Sequence, residues 1–595
     1  MNKIFQKIYL FLTNQKVQMI FLLALSGGVL FWNLGGNSLR DLDEALQAQI
    51  SKEILNGGDW FTLHIRNKPF FHKPPLMFWL TSFSFLLFGI NEFAARFCSA
   101  CFGLGTIMLS YLFAKKLYQS RGVAFLTSLI LLSSSQFIFE RGARAGEEDI
   151  AVVFLVTLSS FFFWKARESK INIYFWAVSF GLLLLTKGPL GLIYLPLVII
   201  FVLFFKDYCS FNKRAVLLAC LIPLSWYSLE FFLTGQNFLK IHLAEAIYFF
   251  VPEILRGENT LTLFLGKEVI SRISIDFLSG ATMKGYFWYA IKFGFFPWSI
   301  LLPLVLFSVV NRFKTNFSLA KQDIFLLLWI SVPLLILSLL KLKSFWWMTP
   351  IFPALSMITA KFLVDLFSRK KKFMFFLASL GLIFFGFLSP IQYVPARFTH
   401  IPYLDLVCCA ALVKKADSWL LYSIVIFLSV IIAANIFFRK RDFYVKQLVP
   451  TVLLSYLLLI AFLNVFFGFL PAVFKTDIDL IAQKAEQTLA SGTLVVYADD
   501  LYRMQYGDIK AEFPTYTDKI VDCWSDYFYL NNLKSLKLEF VKPEKGINSD
   551  LAEFLKQPGE RIFLTSKAYF QSIHSVFKNT EIVLSRGKYI LFKRI

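Results

Sequence analysis

Long apolar stretches alternate with short polar segments over the first four-fifths of the chain. A stretch of about 17–25 apolar residues can cross a bilayer as a helix, whereas runs of 10–14 residues usually do not. By this criterion the pattern predicts thirteen membrane-spanning helices. They cover approximately residues 17–33, 93–113, 122–139, 150–164, 172–186, 190–205, 215–232, 286–309, 323–340, 348–366, 373–390, 418–437 and 448–470.

The apolar stretch Leu76–Phe88 is a borderline case. It is only thirteen residues long and follows Pro74 and Pro75, so we predict a helix at the membrane interface and not a span. Counting it as a span would move Lys115 and Lys116 to the outside and invert every later loop. The distribution of basic residues therefore favours thirteen spans.

Basic residues collect in alternate polar segments. Seven segments contain 23 Lys or Arg residues, and their acidic residues are Glu168, Asp207 and Asp442. Because short cytoplasmic loops are enriched in Lys and Arg, we expect these segments and the N-terminus to be cytoplasmic. The opposite, external side then receives loops 34–75, 140–149 and 233–285 and the C-terminal part of the chain.

The overall composition agrees with a membrane protein. The 595 residues are 57% hydrophobic and 17% charged, while soluble proteins carry about 25% charged residues. This composition excludes a soluble enzyme, a disordered chain and a fibrous repeat. The net charge of +22 would suggest nucleic acid on a soluble protein, but its location in the cytoplasmic segments indicates topology, and we expect no nucleic-acid partner.

The pattern changes after the last predicted span. Short β-rich runs alternate with helical patterns, which predicts an α/β fold outside the membrane. We therefore expect an α-helical polytopic membrane domain at 1–471 and a small α/β domain outside the membrane at 472–595. The predicted strands are Thr493–Tyr497, Arg561–Leu564, Glu581–Ser585 and Lys588–Lys593.

The first external loop carries residues suited to chemistry at the membrane surface. Asp43 and Glu44 open an amphipathic helix, and Lys73 precedes the Pro74-Pro75 pair. A lysine can bind a lipid phosphate as a point charge, and a carboxylate can act as a base or orient an acceptor. The alternative is that the acidic residues only stabilise the start of a helix.

Two further groups lie on the same side. An acidic cluster ends at Asp149, and Lys187 and Lys343 lie in turns between apolar segments. The acidic residues are either solvated helix ends or the second half of a site that begins at Asp43. The lysines either bind an anion or reach to the membrane surface with their ammonium groups.

Evidence for a metal is weak. His64 and His72 flank the Lys73 segment, but a metal site needs three or four suitable ligands. The cofactor therefore stays open, with a divalent cation at these histidines as the candidate, and the chemistry suggested above does not require one.

Several short motifs together resemble the lipid A aminoarabinose transferases, which belong to a wider group that includes protein O-mannosyltransferases. The similar residues, in order, are Asp43-Glu44, Gly58-Asp59-Trp60, Lys73 to Leu80, Phe88-Gly89 with Glu92 and Arg96, Thr186-Lys187-Gly188, Phe287-Trp288-Tyr289 with Pro297-Trp298, and Lys343 with Trp347, Pro350 and Pro353. The resemblance covers roughly residues 20–360 well and the remainder by layout.

The resemblance implies a GT-C type membrane glycosyltransferase of the inner membrane. Such an enzyme moves a sugar from undecaprenyl phosphate to lipid A at the periplasmic face, with inversion, and we expect it to be a monomer. Asp43, Asp149 and Glu44 match catalytic acidic positions, and Lys73, Lys187 and Lys343 match the donor-phosphate pocket. Residues placed in the substrate pocket are Phe70, His72, Trp288, Tyr289 and Trp347.

Three alternatives stay open at this point. A protein O-mannosyltransferase would use the same donor class with a Ser or Thr acceptor on an exported protein. A secondary transporter would require repeated halves with discontinuous helices, and a scaffold would need no catalytic residues. The sugar is also open, since 4-amino-4-deoxy-L-arabinose, another amino sugar or a hexose fits the motifs.

Overall fold

The computed structural model describes two parts of the chain. The helical part comprises residues 14–39, 43–65, 68–70, 73–138, 141–205, 213–234, 290–291, 294–296, 298–315, 321–339 and 345–368. The C-terminal part comprises residues 484–485, 487–488, 492–497, 536–540, 561–566, 570, 580–586 and 589–594. The predicted spans 373–390, 418–437 and 448–470 lie outside the described residues, as do His72, Trp288, Tyr289 and Lys343.

Helices occupy the predicted apolar stretches and the predicted amphipathic segment that begins at Asp43. They are α1 (Gln15–Phe31), α2 (Asp43–Gly57), α3 (Leu76–Phe88), α4 (Glu92–Tyr118), α5 (Arg121–Leu132), α6 (Ser135–Ile138), α7 (Asp149–Lys165), α8 (Ile171–Lys187), α9 (Leu195–Phe204), α10 (Lys213–Thr234), α11 (Leu302–Thr315), α12 (Lys321–Leu339) and α13 (Phe352–Ser368). Short 3₁₀ helices precede α9, α11 and α13 at Gly188–Tyr194, Trp298–Leu301 and Phe345–Ile351.

Five of the helical segments within the described residues are long and apolar enough to cross a membrane. They are Glu92–Tyr118, Ile171–Phe204, Lys213–Phe232, Lys321–Ser338 and Trp346–Asp365. Leu76–Phe88 forms a short apolar helix with the predicted bounds. A helical membrane protein is therefore confirmed, while the total of thirteen spans stays a prediction because several of them lie outside the described residues.

The connection after Lys187 differs from the predicted turn. Gly188 has a φ of +61°, a conformation that glycine adopts without strain, and it ends α8 directly after Lys187. The following residues form a 3₁₀ helix with Pro189 in its first turn. Lys187 thus lies at the C-terminus of α8, where the helix dipole favours a cation.

The longest described helix, α4, connects two charged regions. Asn91 caps its start by accepting a hydrogen bond from the Ala94 amide at 2.9 Å. At its far end, about 40 Å away by helix geometry, Tyr118 donates to Asp323 at 2.9 Å. Asp323 also accepts from Arg312 at 2.7 Å, so the ends of α4, α11 and α12 are joined by polar contacts.

Aromatic side chains form much of the core between the helices. Phe113 of α4 and Phe325 and Trp329 of α12 are fully buried. Their ring centroids lie 6.0–6.2 Å apart, within the range of favourable aromatic contacts. This packing holds the helices in fixed positions and therefore fixes the loops at their ends.

The C-terminal part contains a five-stranded sheet. Two short strands, β1 (His64–Ile65) and β2 (Lys68–Pro69), form a separate hairpin in the first loop. The strands of the C-terminal sheet are β3 (Gly492–Tyr497), β4 (Leu536–Phe540), β5 (Arg561–Ser566), β6 (Thr580–Arg586) and β7 (Tyr589–Arg594). The sheet order is β4-β3-β5-β7-β6, and β3 pairs in parallel with both neighbours. Four strands match the prediction, and β4 was not predicted.

Candidate active site

Four elements bring charged side chains together at one end of the helical part. Asp43 opens α2, and Lys73 precedes α3, whose start follows the Pro74-Pro75 pair. Asp149 opens α7 and Lys187 ends α8. Both carboxylates occupy the first turn of their helices, where the helix dipole favours negative charge.

Glu148 lies between the two lysines. Lys73 Nζ is 3.0 Å from Asp43 Oδ1 and 3.2 Å from Glu148 Oε1. Lys187 Nζ is 2.8 Å from the same Glu148 Oε1 and 2.8 Å from Asp149 Oδ1. The predicted Asp43, Lys73, Asp149 and Lys187 are therefore neighbours, connected through a carboxylate that the sequence prediction did not select.

Arg141 joins the same group from the segment before α7. Its guanidinium donates to Asp43 Oδ2 and contacts Glu147 Oε2 at 3.1 Å and Asp149 Oδ2 at 3.4 Å. The guanidinium also lies 4.0 Å from the ring centroid of Trp346, a cation–π distance. We call the seven residues Asp43, Lys73, Arg141, Glu147, Glu148, Asp149 and Lys187 the charged cluster.

The charged cluster is largely shielded from solvent, and this changes the pKa values of its carboxyl groups. Burial alone would raise the pKa of Asp43, but the charges of Lys73 and Arg141 outweigh it and lower that pKa to about 2. For Glu148, Lys187 and Lys73 likewise overcome the effect of burial and hold the pKa well below its usual range. Burial dominates at Glu147, where the pKa rises to about 8 despite Arg141.

A cavity adjoins the charged cluster. Its empty volume is about 350 Å³, which includes space open to solvent. Asp149 and Lys187 contribute charge to its wall, and Tyr194, Trp346 and Trp347 contribute aromatic surface. A ligand here would contact a cation, a carboxylate and aromatic rings, which is the combination of polar and apolar groups found in small-molecule sites.

The remaining predicted residues occupy other places. Both carboxylate oxygens of Glu44 bind Arg96, at 2.7 and 3.0 Å, and one also accepts from the Gly146 amide at 2.8 Å. Phe70 is buried edge-to-face against Phe78, with ring centroids 6.2 Å apart. Glu44 therefore holds the start of α2 against Arg96 and the Gly146 segment, and Phe70 packs against α3. Neither residue lines the cavity.

The sequence prediction did not select Arg141, Glu148, Tyr194 or Trp346. Arg141 and Glu148 belong to the acidic cluster that ends at Asp149. Because this cluster is predicted on the same side of the membrane as Lys73 and Lys187, an interaction between them could have been inferred from the sequence. Tyr194 and Trp346 offered no signal, because aromatic residues are frequent throughout the chain.

A metal site is not evident in the part of the chain that the structure describes, since no group of three or more His, Cys, Asp or Glu side chains there is arranged to hold an ion. His64 lies 3.8 Å from Asp59 through Nδ1, which is an isolated pair. His72 lies outside the described residues.

Comparisons with known proteins find similar sequences and a similar fold. A family model described as dolichyl-phosphate-mannose-protein mannosyltransferase matches residues 72–231. The structure of ArnT from Cupriavidus metallidurans bound to undecaprenyl phosphate has a similar fold, with a TM-score of 0.64, 16% sequence identity and coverage of 97% of this chain and 98% of that chain.

The predicted resemblance in sequence is also confirmed. An undecaprenyl phosphate-alpha-4-amino-4-deoxy-L-arabinose arabinosyl transferase of Proteus mirabilis is 31% identical over 54% of this chain. A transferase of the same description from Aeromonas hydrophila is 30% identical over 56% of this chain. The chain matches 55% and 57% of the length of these two relatives.

Proposed function

We propose that this chain is a membrane glycosyltransferase that moves a sugar from an undecaprenyl-phosphate donor to a phosphate of lipid A at the periplasmic face of the inner membrane. The observation that carries this proposal is the convergence of Lys73 and Lys187 with Asp43 and Asp149 beside the aromatic cavity. The names of the sequence relatives and the fold of ArnT support the same donor class.

The lysines supply the main chemical assistance. When the bond between the anomeric carbon and the donor phosphate breaks, negative charge grows on the phosphate, and cations already in position stabilise it. In the proposed reaction Lys73 and Lys187 are these cations, and Lys343 is the third candidate for binding the donor phosphate. The acceptor oxygen forms the new bond from the opposite face of the sugar, so the anomeric configuration inverts.

Asp43 is not suited to remove a proton. Lys73 contacts its Oδ1 and Arg141 contacts its Oδ2, and these charges hold its pKa at about 2 against the effect of burial. Such a carboxylate stabilises positive charge on the reacting sugar or orients an acceptor. A lipid A phosphate is already an anionic nucleophile and needs no base, and this favours it over a Ser or Thr hydroxyl.

Transfer of mannose to proteins is the second candidate function. The match of residues 72–231 to the protein mannosyltransferase model favours it. It requires a base for the acceptor hydroxyl. Mass spectrometry of lipid A and of periplasmic proteins, from cells with and without this chain, separates the two: modified lipid A supports the first function and modified protein the second.

Replacing Asp43 by Asn tests the assigned site. We expect transfer to fall by at least about 10²-fold, the loss typical of removing one preorganised electrostatic group, while the protein still accumulates in the membrane. Glu168→Gln is the matched control, because Glu168 forms an exposed pair with Lys116 at 2.6 Å and exposed pairs contribute little. Near-normal transfer by the Asp43→Asn variant would contradict the assignment.

A further inference from the structure

Glu148 occupies an unusual place in the charged cluster. It is 97% buried, and its Oε1 atom lies 3.2 Å from Lys73 Nζ and 2.8 Å from Lys187 Nζ. The two ammonium nitrogens are therefore at most about 6 Å apart. One carboxylate thus keeps two cations from different elements close together, although like charges repel.

The hydrogen bonds of the two lysines leave room for a ligand. A lysine ammonium has three donors. Lys73 donates to Asp43 and Glu148, and Lys187 donates to Glu148 and Asp149. Within the described residues, each ammonium therefore has one donor left, and two bonds of about 2.8 Å to oxygens of one phosphate span the gap between them.

We propose that Glu148 is a positioning residue, which fixes Lys73 and Lys187 as a pair so that both bind one donor phosphate. This inference rests on the proposed function, because it assigns the pair to the polyprenyl-phosphate donor. Glu148 does not touch the reacting atoms; it acts through the two lysines.

An opposite role for Glu148 makes the proposal testable. If Glu148 only competed with the phosphate for the lysines, removing its charge would tighten phosphate binding. If it positions the lysines, the same change lets them separate and weakens binding even though the site becomes more positive. The direction of the change in Kd therefore decides between the two roles.

The experiment uses the purified full chain in detergent and undecaprenyl phosphate as the probe. Its Kd is followed by tryptophan fluorescence, since Trp346 and Trp347 line the cavity. We expect Glu148→Gln to raise Kd by about tenfold or more, the scale of a hydrogen bond to a charged group. Glu148→Asp, which keeps the charge, should restore most of the binding, and Glu168→Gln should bind like the wild type. An unchanged or lower Kd for Glu148→Gln would overturn the proposal.

A double-substitution cycle gives a second measurement. Residues that act as one unit give non-additive effects, so Lys73→Met should weaken binding strongly in the wild type and much less in a variant that lacks the Glu148 carboxylate. The cycle works with Glu148→Ala as well as with Glu148→Gln, and so it decides the question even if the glutamine variant does not fold. Fold-changes that simply multiply would contradict a positioning role.

Steady-state kinetics connect the result to turnover. Glu148→Gln should raise the KM for the donor by about tenfold and should also lower kcat, because the same two lysines stabilise the charge that grows on the leaving phosphate; Glu148→Asp should recover most of both. Failure of the proposed function is distinguishable: a wild-type chain that binds undecaprenyl phosphate but modifies no lipid A would refute the function and leave the positioning role intact.

Discussion

At the scale of single residues, two neighbouring acidic side chains in α2 contact different partners and have different roles. Asp43 and Glu44 are adjacent in the first turn of α2, and adjacent helical residues point about 100° apart. Asp43 therefore faces Lys73 and Arg141, while Glu44 faces Arg96. Glu44 also accepts a hydrogen bond from the Gly146 amide, so it ties the start of α2 to the segment that carries Arg141 and Glu148.

The pKa of Glu147 leads to a prediction about pH and stability. Burial raises this pKa to about 8, against the opposing charge of Arg141, so the folded protein binds a proton between about pH 5 and 8 that the unfolded chain releases. Stability should fall as pH rises through this window. Asp43 affects stability in a different pH range. Because its pKa is lowered to about 2, it contributes stability above about pH 4 that is lost as the pH falls toward 2.

The measurement is the melting temperature of the purified protein at pH 5.5 and 8.5. Glu147→Gln stays neutral at both pH values, so the variant should lose less stability on going to pH 8.5 than the wild type does. Each kcal/mol of the difference corresponds to about 2–4 °C in a domain of 150–250 residues. Equal losses in both proteins would show that Glu147 is ionised throughout the range.

At the scale of elements, the segment between α6 and α7 determines the shape of the charged cluster. It packs so closely that a side chain on its glycines would collide with backbone: a Cβ on Gly142 would lie 2.5 Å from the carbonyl oxygen of Phe137, and one on Gly146 would lie 2.9 Å from that of Ala95. The neighbouring Arg141 has a φ of +52°, which is uncommon for a residue with a side chain.

Replacing Gly142 by Ala should therefore move Arg141 and Glu148 relative to the lysines. Because a displacement of about 1 Å can reduce catalysis by about 10²-fold, we expect a loss of transfer on that scale at equal amounts of protein. Gly57→Ala is the matched control, since nothing lies within 4 Å of the added Cβ in α2. Equal activity of the two variants in a membrane transfer assay would refute the importance of this packing.

The elements also show what the sequence could predict. The helices of the described part agree with the apolar stretches because membrane helices must be long and apolar. The strand β4 was missed, although Leu536, Leu538 and Phe540 alternate with charged residues as a strand requires. The contacts of Glu148 could not be predicted, because they depend on how α3, α7 and α8 pack against one another.

At the scale of the whole molecule, the two ends of the helices have different kinds of charge. The charged cluster at one end combines three cations with four carboxylates beside a cavity. At the other end Arg312 pairs with Asp323 and Asp365, and Lys361 also binds Asp365. The second group joins helix ends, and its mutually paired charges suit a structural role.

The distribution of basic residues leads to the last prediction, which concerns orientation. The seven segments with 23 Lys or Arg residues against three acidic residues should face the cytoplasm, and the charged cluster should face the periplasm, where a lipid A acceptor is found.

Asn56 near the end of α2 and Ser169 after α7 are both exposed, and α7 extends about 25 Å between the two sides by helix geometry. In a chain whose seven cysteines are replaced, Asn56→Cys should react with a membrane-impermeant maleimide in intact cells. Ser169→Cys should react only after the inner membrane is permeabilised, and the reverse pattern would place the proposed site on the wrong side for its substrate.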